Sequence, residues 1–216
     1  VHLNSRRWSI HESEFNVTED GAEVRSFELT NDEQRLSAYG KLSKSMADTL
    51  SVELDRFDIG IVNPLVTPDL GLRGKLTGLA RLVSPLDDKS ILLDVVCDST
   101  YMAGEEIGLL AAKCEWDRIF NRFDISASND INGKSTLAAE ARYTPSSRGL
   151  EARLALDGFN IGYARPFVDG IFNRFEGELS GQISLDGPIN SPEISSENAR
   201  IDNGVLSIAF TNVPYQ

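Results

Sequence analysis

Histidine is nearly missing from this chain. His2 and His11 are the only two, and both sit in the first stretch. Everything downstream therefore lacks the commonest general base and metal ligand. No HExxH, GxSxG or phosphate-cradling P-loop occurs. Long apolar runs are missing too. None approaches the roughly 20 residues that a spanning helix requires. Positive charge is the minority sign: Lys and Arg number 21 against 33 acids, a net charge of −12, with no basic block. That balance excludes nucleic acid, whose phosphates would be repelled, and a peripheral site that relies on anionic headgroups. No secretory leader is visible, and the chain, which begins at Val1, is expected to be an excised piece of something longer.

Cysteine is sparse. Cys97 and Cys114 have no metal-binding spacing. They bridge neighbouring strands in an oxidising compartment, or they are two small apolar core residues. Cys97 shares parity with Leu93 and Val95, and Cys114 with Leu110 and Ala112. No metal or organic cofactor is expected. Adjacent acids at Asp87–Asp88 and Glu105–Glu106 fit solvated turns better than a paired-carboxylate active site. Trp8 and Trp116 fit core anchors better than a sugar-stacking platform. Asn16-Val17-Thr18 matches a glycosylation acceptor but carries little weight. The sequence reads as a non-enzyme.

Alternation is what the chain has in quantity. "TLSVELD" sets Leu50, Val52 and Leu54 against Ser51, Glu53 and Asp55. "SILLDVVCDS", "STLAAEARY", "LEARLALD" and "GVLSIAF" repeat the pattern, with turn clusters such as "SNDINGK" and "TPSSRG" between them. The spacing predicts on the order of 18 to 20 strands, too many for one sandwich. Glu105 to Phe123 fits a short helix or a pair of strands. "NPLVTPDLG" and "RPFVDGIFN" each have room for one helical turn.

The chain also repeats itself. "LDRFDIGIVNPLV" from Leu54 returns as "LDGFNIGYARPFV" from Leu156, a shift of 102 positions. "GKLTGLARLVSP" from Gly74 returns as "GELSGQISLDGP" from Gly177, a shift of 103. Two segments in one order at nearly one offset indicate duplicated units of several strands each. In both copies the apolar parity switches, between Leu54 and Phe57 and between Leu156 and Phe159, as an inserted bulge residue would cause. Gly74, Gly78, Gly177, Gly181 and Gly187 share the apolar parity. They relieve crowding on the concave side of a curling sheet, or they admit a second sheet at close range.

The run from Gly177 to Ile208 carries Gly177, Leu179, Gly181, Leu185, Gly187, Pro188, Pro192, Ile194, Ile201, Gly204, Leu206 and Ile208 in the order "GxLxGxxxLxGPIxxPxIxxxxxxIxxGxLxI". This pattern resembles the β-repeat of the TamB family (the translocation and assembly module), within the AsmA-like group. The earlier copy departs from it, with Ser84 before Pro85 and with Leu79 and Val83 at polar-parity positions.

The resemblance implies an all-β fold: an elongated, curled sheet, the β-taco or open trough, with an apolar concave interior and about two repeats. Residues 1–125 would form the first unit and 126–216 the second, in one continuous trough without a flexible linker. The family resemblance implies a periplasmic protein anchored in the inner membrane by parts outside this piece, with an outer-membrane partner of the BamA/TamA type. It further implies movement of phospholipid to the outer membrane and support of outer-membrane protein assembly and secretion. Alternatives are a β-strand scaffold for client proteins and an extracellular β-sandwich binding module. The residues expected to face acyl chains are Leu50, Val52, Leu54, Phe57, Ile59, Leu76, Leu82, Leu93, Val95, Leu154, Leu156, Phe159, Ile161, Leu179, Ile183, Leu185, Leu206 and Ile208.

Overall fold

The computed structural model describes residues 2–3, 6–65, 70–83, 90–168, 170–209 and 214–215. Two short strands, β1 (His2–Leu3) and β2 (Arg6–Arg7), pair with each other. They lead to β3 (Ser9–Ile10), β4 (Glu14–Thr18), β5 (Gly21–Asn31), β6 (Gln34–Ser43) and β7 (Thr49–Asp58). A 3-10 segment (Ile59–Leu65) follows, then β8 (Arg73–Val83), β9 (Ser90–Met102), β10 (Glu105–Asp117), β11 (Arg122–Asp130), β12 (Leu137–Thr144) and β13 (Gly149–Asn160). A second 3-10 segment (Ile161–Ala164) runs into the single turn α1 (Arg165–Val168). The chain then adds β14 (Phe172–Pro188), β15 (Glu193–Ile208) and β16 (Pro214–Tyr215).

From β3 to β16 these strands make one antiparallel sheet of 14 strands, in which sequence neighbours are sheet neighbours and β4 branches off β5. The sheet is open and does not close into a barrel. Strands take up 74% of the chain and helical turns 6%, so no helical layer among the described residues covers a face. A sandwich would need a second sheet face to face with the first, and among the described residues the only other sheet is the β1–β2 pair. The accessible surface is 13565 Å². A compact monomer of 23.7 kDa would expose about 9,800 Å². The excess is what a curled single layer produces.

Glu105 to Phe123, ambiguous in sequence, is strand β10, a turn and the start of β11. Gly108 does not break a helix there; it sits at a register shift against β9. The "SNDINGK" cluster is a tight hairpin, with Asn132 and Gly133 both at positive φ (56° and 82°), as a two-residue Asn-Gly turn demands. "NPL" and "RPFV" each fall in a short helical turn. Val66–Asp69, like Asp87–Asp88, lies outside the described residues.

The repeat is structural. Both parity switches are bulges, with register shifts between Leu54 and Phe57 and between Leu156 and Phe159. The bulged residues Arg56 and Gly158 have φ of 52° and 66°. Each donates its freed N–H to a hydroxyl on the next strand, Arg56 to Thr77 Oγ1 (3.1 Å) and Gly158 to Ser180 Oγ (2.9 Å). Each 3-10 segment then opens on one device, Gly60 N–H to Asp58 Oδ1 (2.9 Å) and Gly162 N–H to Asn160 Oδ1 (2.8 Å). Gly78 and Gly181 correspond as well. Their φ values are 158° and 132°, and a Cβ would lie 2.3 Å from the Asp94 carbonyl or 2.8 Å from that of Asn198. These two glycines are required by the backbone, more directly than by crowding of side chains on the concave face. Residues 125 and 126 both lie within β11.

Candidate apolar trough

Register decides which side chains share a face, because directly opposed residues point the same way. One row crosses the sheet with one residue from each of β5 to β15: Phe27, Ala38, Val52, Ala80, Leu93, Cys114, Ile125, Ala141, Ala152, Leu185 and Ile194. The parallel row two residues away runs Leu29, Leu36, Leu54, Gly78, Val95, Ala112, Ala127, Ala139, Leu154 and Ile183, and turns polar only at Ser196 on β15. The opposite face differs in kind. Ser37, Glu53, Leu79, Asp94, Lys113, Ser126, Glu140, Arg153, Ser184 and Ser195 form one of its rows, with Leu79 the exception that sequence parity had marked.

Alanine compares the enclosure of the two faces, since the side chain is the same on both. On the apolar face Ala80, Ala112, Ala127, Ala139 and Ala141 are half-buried and Ala152 is buried. On the polar face Ala138 and Ala155 are exposed and only Ala111 is half-buried. The apolar face is the more enclosed one, as the inside of a curl would be.

Of the residues expected to line the trough, Leu50, Val52, Leu54, Phe57, Leu76, Leu82, Leu93 and Val95 lie together on this face in β7–β9. Leu154, Leu156, Ile183, Leu185, Phe159 and Leu179 lie on it in β13–β14, and Leu206 joins it opposite Phe175. Ile208 pairs with Phe172 beyond a register shift. Ile59 and Ile161 are not in strands; they open the two 3-10 segments, and Ile161 is buried. The expected lining left out the β10–β12 share of this face, Cys114, Ile125 and the alanines between them, although Cys114 shares parity with Leu110 and Ala112. Its signal was the alternation of "STLAAEARY", and the helix–strand ambiguity before it hid the rest.

The hairpin turns fall on two long margins of the sheet. One margin is capped. The second 3-10 segment leaves the end of β13, which runs past the start of β12, and crosses toward β10. The Tyr163 hydroxyl donates to the Glu106 carbonyl, and Arg165 Nη1 reaches Glu105 Oε1 at 3.2 Å. Ile107, Ile161 and Tyr163 are buried there, and Phe159 meets Tyr163 edge to face at 5.0 Å. In the first repeat Phe57 is buried against Trp8, centroids 5.6 Å apart, with Trp8 only 4% exposed. Burial lifts the Tyr163 phenol above its ordinary range, with Glu105 and Glu106 adding to the effect.

Among the described residues the other margin is open. A row of Trp116, Phe123, Tyr143 and Leu150 crosses β10–β13 near it, and all four are half-buried. Trp116 meets Phe123 at 4.7 Å and Phe123 stacks on Tyr143 at 6.5 Å. Beyond them the turns expose Met46 (67%), Ile119 (84%) and Phe120 (62%). Both tryptophans thus pack against aromatic neighbours, Trp8 on Phe57 and Trp116 on Phe123.

Cys97 is buried and Cys114 half-buried, and both thiols are free. Cys97 opposes Leu110, while Cys114 opposes Leu93 four residues further along. Four residues of strand span about 14 Å, twice the Cα separation a disulfide tolerates. Desolvation raises both thiol pKa values, so neither is an activated nucleophile.

Two clefts of about 710 and 720 Å³ lie on the polar face, across β9–β14 and β10–β15. Ion pairs bridge the ridges beside them, Lys113–Asp94 at 3.0 Å and Arg142–Glu151 at 3.6 Å. These side chains are more than half exposed, so each pair adds little. No group of three potential ligands able to hold a metal ion occurs among the described residues. No described helix is long and apolar enough to cross a membrane.

Comparison with protein-family models, with curated proteins and with solved structures found no match for this chain.

Proposed function

We propose that this chain is a segment of a hydrophobic groove that carries phospholipid between the inner and outer membranes. It would belong to a periplasmic protein of the TamB type that is anchored in the inner membrane. Its work with an outer-membrane partner of the BamA/TamA type would support outer-membrane protein assembly and secretion. One observation carries this reading: two adjacent rows on one face stay apolar from β5 to β14. Keeping one CH₂ from water is worth about 0.8 kcal/mol, so a sixteen-carbon chain costs about 12 kcal/mol in water. A local patch relieves that cost at one point. A continuous row relieves it along a path and needs no specific polar contact.

The test is to purify the protein without detergent, extract it with organic solvent and analyse the extract by mass spectrometry. Stoichiometric phospholipid is expected, and Leu179→Asp or Ile183→Asp should lower the occupancy. A folded monomer that yields no lipid would refute the groove.

A second reading is a scaffold that templates client β-strands, which an antiparallel sheet that does not close into a barrel can accommodate. Open edges recruit strands. Slowed amide exchange along β15 on adding an extended client segment, with no lipid recovered, would favour the scaffold.

A further inference from the structure

The two margins differ in a way that orients a ligand. We infer that a phospholipid acyl chain lies along the strands, its methyl end against the capped margin and its headgroup at the open one. The inference rests on the groove reading and deepens it. Four observations carry it.

The first is charge. The two central rows hold only Phe, Leu, Ile, Val, Ala, Cys and Gly from β5 to β14. A phosphate has no partner in those rows and must emerge at a margin. The second is the stop. At the capped margin Phe159, Ile161 and Tyr163 fill the space with the protein's own side chains, tied to β10 through Glu105 and Glu106. A headgroup cannot leave there without displacing them. The third is the character of the opposite margin. Trp116 and Tyr143 are half-buried, with an apolar body and a polar tip. Such side chains suit the level where acyl chain gives way to headgroup and water. The fourth is length. Leu150 to Leu156 on β13 spans about 20 Å of strand. One leaflet's acyl chains occupy about 15 Å, half of the hydrocarbon core. A chain of that length, laid along the strand, fits between the aromatic row and the stop.

The protein supplies its own reporters. It has two tryptophans, Trp8 at the capped margin beside Phe57 and Trp116 at the open one. Phosphatidylcholines brominated near the methyl end or near the carboxyl end of the acyl chain quench tryptophan fluorescence on close approach. In Trp116→Phe only Trp8 reports, and the difference from the parent isolates Trp116. Trp8→Phe gives the same separation from the other side if the first variant does not fold. Methyl-end bromine should quench Trp8 at least twofold more than carboxyl-end bromine, and the order should reverse for Trp116. Equal or inverted quenching would overturn the orientation while leaving a lipid in the groove. No quenching of either tryptophan by either lipid, in protein that retains its β circular dichroism, would overturn the groove reading itself.

Discussion

The capped and open margins are two ends of the same strands, yet the chain treats them oppositely. At one end Phe57, Trp8, Ile161 and Tyr163 are buried. At the other Trp116, Phe123 and Tyr143 are only half-buried, and Met46, Ile119 and Phe120 stand out in the turns. Alternation is equally good at both ends, so it does not decide the difference. What decides it is the inserted segment. Where a bulge and a 3-10 turn fold back onto the sheet, the face acquires a core of its own. Where the connection is a tight hairpin, no described segment folds back and the face stays available. An apolar strand face is therefore necessary for a groove but is also what a core would use.

The most disruptive test of this contrast is truncation at both ends. Phe57→Ala should cost about 3–5 kcal/mol, as for a buried ring. Phe123→Ala, half-buried at the open margin, should cost no more than about half of that. Urea denaturation of both variants would check the ordering. The reverse order would mean that the sheet's own core lies at the open margin, where the headgroup has been assigned. Next in size are the paired glycines. Gly78→Ala and Gly181→Ala each force a Cβ onto a neighbouring strand's backbone, and each should lose about 1–3 kcal/mol. Gly104→Ala has positive φ but no atom within 4 Å, and should lose less. If only one of the pair were costly, the two repeats would be alike in sequence and not in energetics.

Much of this architecture was legible because strand periodicity is local. Leu50, Val52 and Leu54 announce a face within a few residues, and the parity switch before Phe57 announces the bulge. The Asn-Gly turn at Asn132 was legible for the same reason. The segment from Glu105 to Phe123 was not, because Ile107, Leu110 and Ala111 satisfy a helical period as well as a strand. Only pairing with β9 and β11 resolves it. The cap was hidden for a different reason. Ile59 and Ile161 continue the apolar parity of their strands, so they look like lining residues. That Ile161 is buried by a segment crossing toward Glu105, over 50 residues away, is a tertiary fact. The positive φ of the glycines was likewise invisible; sequence located the curl but assigned it to side-chain crowding.

A milder way to sharpen the contrast uses the thiols. Cys97 is 1% exposed, whereas Cys114 sits half-buried in the central apolar row. Burial holds both as thiols, so alkylation at neutral pH should be slow at each. Cys114 should nevertheless react in the folded protein, and Cys97 only on unfolding. Phospholipid bound along the row should slow Cys114 further. Mass spectrometry of the alkylated peptides separates the two sites. Equal protection of Cys114 with and without lipid would place the ligand away from this row.

The smallest expected effect is a pH dependence of the cap. Tyr163 has its phenol raised above the ordinary value, first by burial and then by Glu105 and Glu106. Below about pH 10 the phenol is protonated in both folded and unfolded chains, so its contribution is fully present. As pH rises past that point the unfolded chain loses the proton first. The unfolded state then binds fewer protons than the folded one, and stability falls with pH. Unfolding midpoints should therefore decline through the alkaline range. Tyr163→Phe removes the titrating group, keeps the ring against Phe159 and gives up the hydrogen bond to the Glu106 carbonyl. It should begin lower by about 1 kcal/mol and decline less steeply, so that the two curves converge as pH rises. Parallel curves would mean that the Tyr163 hydroxyl is not held in the cap, and the stop at that margin would lose its anchor to β10.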